Sequence, residues 1–133
     1  MHKLIVYGTL LRGEHNHFMM EGAELLGEVI IPNAVIHDLG GCPGLKFLPP
    51  NNYSQQVAGE LYNVNDILRE RLDHFEGHPV MYERVECEYI GSKDEGVWVD
   101  NAWVYEYQSD CYTPPIPSGT NGAADWRLRH TLP

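Results

Sequence analysis

The chain has 133 residues, 43% of them apolar, with 3 Trp, 8 Tyr and 3 Phe, which suffices for one hydrophobic core, is too little for two, and excludes a disordered chain. Nineteen acidic side chains against nine Lys and Arg leave a formal charge of −10, which repels a phosphate backbone and an anionic lipid surface alike, so neither nucleic acid nor a membrane is an expected partner. The sequence holds no apolar run of about 18 residues to span a bilayer and no signal-peptide core after Lys3, and cytoplasmic residence is expected.

Leu4, Ile5 and Val6 are consecutive and bulky, which predicts a strand buried on both faces, the central one of its sheet. Gly8 follows, read as a residue whose φ a Cβ would forbid. It lets the backbone turn and releases the N–H groups of Gly8, Thr9 and Leu10 from the sheet. Convergent free N–H groups make an anion cradle, although an ordinary strand end with a tight turn has the same sequence. His15 to Met20 predicts a helical turn or two. His15 and His17, two apart and without a third ligand, do not make a metal site. Ala23 to Ile31 predicts a second strand, bent at Gly27 and stopped by Pro32, and Asn33 to Leu39 a third.

Gly40-Gly41-Cys42-Pro43-Gly44 predicts a loop lining a site, Leu45 to Leu48 a short strand, and Pro49-Pro50-Asn51-Asn52 a surface turn. Gln56 to Tyr62 alternates apolar and polar residues as a half-buried strand does. A helix follows, capped by Asn63 or Asn65, with Val64, Ile67, Leu68, Leu72 and Phe75 as its apolar stripe. Gly77 stands at its C′ position and Pro79 prevents resumption. Met81 to Ile90 and Val97 to Tyr107 predict an antiparallel hairpin turning through Gly91 to Gly96. From Tyr112 the prolines and glycines predict an extended tail. Residues 1–111 are therefore taken as the domain and 112–133 as its tail. The fold class is α+β: a closed or strongly curled mixed sheet of about six strands with one main helix packed on it. Cys42, Cys87 and Cys111 lack CxxC spacing and are expected as free thiols.

One position breaks the helix pattern. Leu68 and Leu72 stand four apart, and the next residue in that row is Glu76. A carboxylate at the buried edge of a stripe, near the negative end of the helix dipole, has its pKa raised and suits general-base work near neutral pH. The bland alternative is a Glu reaching solvent at a frayed helix end.

Val6-Tyr7-Gly8-Thr9-Leu10-Leu11-Arg12-Gly13 with Asn16-His17, then Gly59-Glu60-Leu61-Tyr62, then Leu72-Asp73-His74-Phe75-Glu76-Gly77-His78-Pro79 followed by Tyr82-Glu83-Arg84, resemble the γ-glutamylcyclotransferase-like (AIG2-like) family in order and spacing. The likeness is to its γ-glutamylamine cyclotransferase branch; it runs from Leu4 to about Tyr107, with Asp125-Trp126 as a further match. The resemblance implies a small mixed barrel, a cradle for a γ-glutamyl group at Tyr7, Gly8, Thr9 and Leu10, and Glu76 as general base. It implies an enzyme that releases 5-oxoproline and a free amine from a small γ-glutamyl amine or amide, without cofactor or metal. The alternative is a non-catalytic module binding a carboxylate metabolite or a peptide end in the same cradle. Tyr82 and Tyr105 are candidate pocket tyrosines. Arg84 is a candidate partner for the substrate carboxylate, weighed against a structural ion pair, and Asp73, one residue off the Glu76 row, is given a structural role.

None of the seven histidines, His2, His15, His17, His37, His74, His78 and His130, forms a ligand set with an acid or thiol at metal-binding spacing. The implied nucleophile is an amine, which needs only a proton acceptor and a polarised carbonyl. Dialysis against EDTA is expected to leave the rate of 5-oxoproline release unchanged; a chelator-sensitive rate restored by zinc or manganese would contradict this.

Overall fold

The computed structural model describes residues 1–50, 55–93, 96–119 and 122–130. Seven strands are present among them: β1 (His2–Val6), β2 (Glu24–Pro32), β3 (Ala34–Asp38), β4 (Pro43–Phe47), β5 (Gln56–Val64), β6 (Tyr82–Lys93) and β7 (Gly96–Tyr107). One α-helix, α1 (Asp66–Glu76), and two short 3₁₀ turns, His17–Met20 and Trp126–Leu128, complete the described elements. Five strands close a barrel in the order β1-β5-β2-β6-β7, while β3 and β4 form a separate two-stranded sheet. The barrel is mixed because β1 runs parallel to β7 at Leu4–Trp103 and Ile5–Val104 and antiparallel to β5. This is the α+β barrel with one main helix that the sequence predicts. None of the described helices is long and apolar enough to cross a membrane.

β1 sits where its composition requires. Leu4, Ile5 and Val6 are almost wholly buried, because barrel-facing and outward-facing positions are both covered. Glycine bends β2 as expected: the register against β5 slips between Leu25 and Gly27. Three expectations are corrected. β4 starts at Pro43, inside the stretch read as loop. β5 is not half-buried but buried along nearly its whole length, so its polar Glu60 lies at 0% exposure. The hairpin turn is tighter than expected, since Gly91, Ser92 and Lys93 pair with Trp98, Val97 and Gly96. Asn51, Asn52, Asp94 and Glu95, expected in turns, lie outside the described residues.

The helix obeys its end rules. Asn65 is the cap, its side chain accepting from the Leu68 N–H at 2.8 Å, while Asn63 belongs to β5 and pairs with Lys3 and Glu24. Gly77 adopts the left-handed conformation and donates back to the Asp73 and His74 carbonyls. Only Leu68 and Leu72 of the predicted stripe are buried helix residues: Val64 ends β5, Ile67 is 72% exposed and Phe75 is 41% exposed.

The chain after Tyr112 follows the barrel. Ile116 donates to the Ile36 carbonyl, Val57 and Ala124 form a parallel bridge, and Trp126 is completely buried in the main core. Truncating a fully buried Trp removes its transfer energy and leaves a cavity. Trp126→Ala is expected to cost about 3–5 kcal/mol in guanidinium unfolding, and a loss under about 1 kcal/mol would show that this segment adds little to the core.

Candidate active site

At the end of β1 the chain leaves the sheet and turns, Leu11 donating to the Gly8 carbonyl at 3.0 Å. No described residue accepts from the N–H groups of Gly8, Thr9 or Leu10. They line a cleft of about 210 Å³ whose other walls are Asn16, Cys42 and Pro43, the helix end with Phe75 and Glu76, and Met81, Tyr82 and Tyr105. Gly8 and Leu10 are buried, and buried unpaired N–H groups are rare unless something is to be bound there. The need for glycine at position 8 differs from the expectation. Gly8 does not take a left-handed φ; a Cβ there would lie 2.8 Å from Cδ of Pro43 and closer still to its Cγ.

The tyrosines are fastened rather than free. Tyr7 donates to the Tyr105 carbonyl at 2.7 Å and accepts from the Leu45 N–H at 3.1 Å, so its hydroxyl joins β7 to β4. Tyr82 donates to the Pro43 carbonyl at 2.8 Å. Burial pushes the Tyr7, Tyr82 and Tyr105 phenols up, so they remain donors at neutral pH.

The Tyr105 hydroxyl donates to Asp73 at 2.6 Å, and Arg84 meets the same carboxylate through Nε at 2.9 Å and Nη2 at 3.2 Å. Burial alone would raise the Asp73 pKa, but the bonds from Arg84 and Tyr105 outweigh it and hold it below the usual range. Arg84, a candidate for the substrate carboxylate, is thus engaged by Asp73, lies over the Trp103 ring and is not in the cleft wall. The cleft brings together Tyr7, Gly8, Thr9, Leu10, Glu76, Tyr82 and Tyr105 and leaves Arg84 behind.

Glu76 is the cleft's acid. It accepts no hydrogen bond from any described residue, and burial pushes its carboxyl up to about 7. Nothing offsets that desolvation: Asp73, one helical turn earlier, has Arg84 to itself. Among the described residues no group of three His, Cys, Asp or Glu side chains is arranged to hold a metal ion.

Sequence reasoning gave no role to Asn16 or Glu60. Asn16 enters the cleft wall and donates from Nδ2 to Thr9 Oγ1 at 3.1 Å. Glu60 accepts from the Arg12 N–H at 3.0 Å, from Arg12 Nε at 2.7 Å and from the Tyr62 hydroxyl at 3.1 Å, securing the exit of the cradle loop. Glu60 stands on the polar face of the Gln56 to Tyr62 alternation, and no local signal marks it as buried.

Residues 4–128 match the family described as gamma-glutamyl cyclotransferase, AIG2-like. The chain belongs to that family. A gamma-L-glutamyl-butirosin B gamma-glutamyl cyclotransferase of Niallia circulans is 33% identical over 137 aligned positions, covering 98% of this chain and 80% of that protein. The gamma-glutamylaminecyclotransferase of Rattus norvegicus is 32% identical over 127, covering 86% and 82%. The crystal structure of an AIG2-like protein from Mus musculus superposes with a TM-score of 0.72 at 26% identity, over 94% of this chain and 95% of that one.

The Glu76 carboxyl has a stability consequence. Its folded pKa of about 7 lies above the ordinary 4.5, so the native state keeps a proton that the unfolded chain releases. Its contribution is fully present below about pH 4.5 and is lost as pH rises toward 7. Glu76→Gln, which removes the titration, is expected to be more stable than the parent at pH 8 by about 1–3 kcal/mol, and not at pH 4. Denaturant titrations at both pH values check this, and equal differences would contradict it.

Proposed function

We propose that this chain is a γ-glutamyl cyclotransferase acting on a γ-glutamyl amine or related amide, with Glu76 as the proton carrier and the Tyr7 to Leu10 loop as the substrate cradle. The observation that carries this reading is an unbonded carboxylate of pKa near 7 in one cleft with unpaired N–H groups of a glycine-containing turn.

A γ-glutamyl amide contains its own nucleophile, since its α-amino group closes a five-membered ring on the γ-carbonyl. No Ser or Cys is required. The protein supplies position, where a near-attack arrangement draws on effective molarities of roughly 10⁵ M or more. It also supplies a base. The α-ammonium group, with an ordinary pKa of about 8, gives its proton to the Glu76 carboxylate. The amine then attacks the γ-carbon, and the carbonyl electrons move onto oxygen. When the tetrahedral species collapses, the bond to the leaving nitrogen breaks, that nitrogen takes the proton from Glu76, and the ring nitrogen gives its second proton to the Glu76 carboxylate, from which it departs with the released amine as its ammonium ion. Substrate and products balance: one γ-glutamyl amide gives one 5-oxoproline and one amine. The turn's N–H groups hold the α-carboxylate, neutralising a charge that the acidic surface repels.

The test is incubation with a panel of γ-glutamyl amines and γ-glutamyl amino acids, with 5-oxoproline read by mass spectrometry. Glu76→Gln is nearly isosteric but cannot accept the proton, so kcat is expected to fall roughly 10²-fold to 10⁴-fold. The parent's rate should rise with pH through about 7 as Glu76 ionises, and the variant should lack that limb. Turnover of the variant within a few-fold of the parent would defeat the role given to Glu76.

A further inference from the structure

We propose that Asn16 is a positioning residue that locks the Thr9 hydroxyl as a donor into the cleft, where it binds the substrate's α-carboxylate. This rests on the cyclotransferase reading above. Asn16 stands at the start of the 3₁₀ turn His17–Met20 and is tied to the cradle twice. Its N–H donates to the Thr9 carbonyl at 3.0 Å and its Nδ2 to Thr9 Oγ1 at 3.1 Å. Asn16 Nδ2 also lies 3.2 Å from His15 Nε2, so the same amide nitrogen is held between Thr9 and His15. The Asn16 carbonyl accepts from Met19 at 3.0 Å, which fixes the backbone under the side chain.

A threonine hydroxyl has one hydrogen to give. Because Oγ1 accepts from Asn16, that hydrogen points away from it, and no described residue receives it. Thr9 lines the cleft, so its hydroxyl faces the ligand as a donor beside the N–H groups of Gly8, Thr9 and Leu10. With that hydrogen turned into the cleft, the surface there presents donors only. Such a surface accepts a carboxylate and leaves a neutral amide at the same place poorly satisfied, so Asn16 makes the cradle discriminate in favour of an ionised α-carboxylate. The Asn16 bond takes one of the two lone pairs of Oγ1, so the hydroxyl offers the cleft its hydrogen more readily than an unbonded hydroxyl would.

The experiment is a double-mutant cycle over Asn16→Ala and Thr9→Val, with Asn16→Asp as a test of direction. Kd for L-γ-glutamyl-n-butylamide is measured by calorimetry in the Glu76→Gln background, where the probe is not consumed, and KM and kcat are measured with Glu76 present. A lost bond to a charged group predicts that Thr9→Val weakens binding by about 10-fold to 100-fold. Asn16→Ala should weaken it several-fold alone and by less than about twofold on Thr9→Val, because its effect passes through that hydroxyl. Asn16→Asp keeps the shape but accepts instead of donating, and should raise KM at least about tenfold with kcat and thermal midpoint little changed. Effects of Asn16→Ala and Thr9→Val that multiply, an Asn16→Asp variant as tight as the parent, or no binding of the probe in the Glu76→Gln background would each overturn the proposal. A parent that releases no 5-oxoproline while the cycle holds in Kd would defeat the cyclotransferase reading and leave the positioning role standing.

Discussion

The cleft depends on a clamp between the end of α1 and the β6–β7 hairpin. Asp73 takes two bonds from Arg84 on β6 and one from the Tyr105 hydroxyl on β7, and so docks the last turn of the helix on the barrel. Glu76 follows one turn later on the same face of the helix. Two carboxylates of one helix thereby meet opposite environments. Asp73 is compensated and stays ionised, while Glu76 is desolvated without a partner. Arg84 is taken by Asp73 and gives Glu76 no counter-charge, so desolvation alone sets the Glu76 carboxyl.

A second anchor holds the opposite wall. Glu60 is buried in the middle of β5 and is reached by Arg12 from the cradle loop and, at 3.6 Å, by Arg127 from the C-terminal segment. Arg127 also contacts Glu28 and Asp125, so one network ties together β2, β5, the loop after β1 and the last 3₁₀ turn. Burial would raise the Glu60 pKa, but the bonds from Arg12 and Tyr62 outweigh it and keep it ionised. In a protein of net charge −10, these basic residues are all engaged by buried or half-buried carboxylates.

Much of this was legible in the residues. The apolar run of β1, the glycine bend of β2, the Asn65 cap and the Gly77 stop are local features, and local chemistry decides them. Glu76 was legible because it interrupts an i, i+4 row. What was hidden depends on partners distant in sequence. The alternation of Gln56 to Tyr62 looks half-buried because a pattern cannot show that an outward face will be covered, or that Glu60 will find Arg12 and Arg127. Ile67 looks like core because helical spacing marks a stripe without saying how wide a stripe the barrel covers. Gly8 looks in sequence like a conformational need, whereas the constraint is the Pro43 ring pressed against it from another sheet.

The parallel pairing of β1 with β7 also bears on how the molecule assembles. β1 has no neighbour close to it in the chain: its two barrel partners begin at Gln56 and Gly96. The β6–β7 hairpin forms through nearby residues, but the seam that closes the barrel joins Ile5 to Val104 and must meet a large loop-closure entropy first. During synthesis the first strand can pair with β5 early, but it lacks its second barrel neighbour until β7 has been made. The turn from Gly8 to Leu10 follows directly from the end of that strand, so its position is fixed on both sides only once the β1–β7 seam has closed.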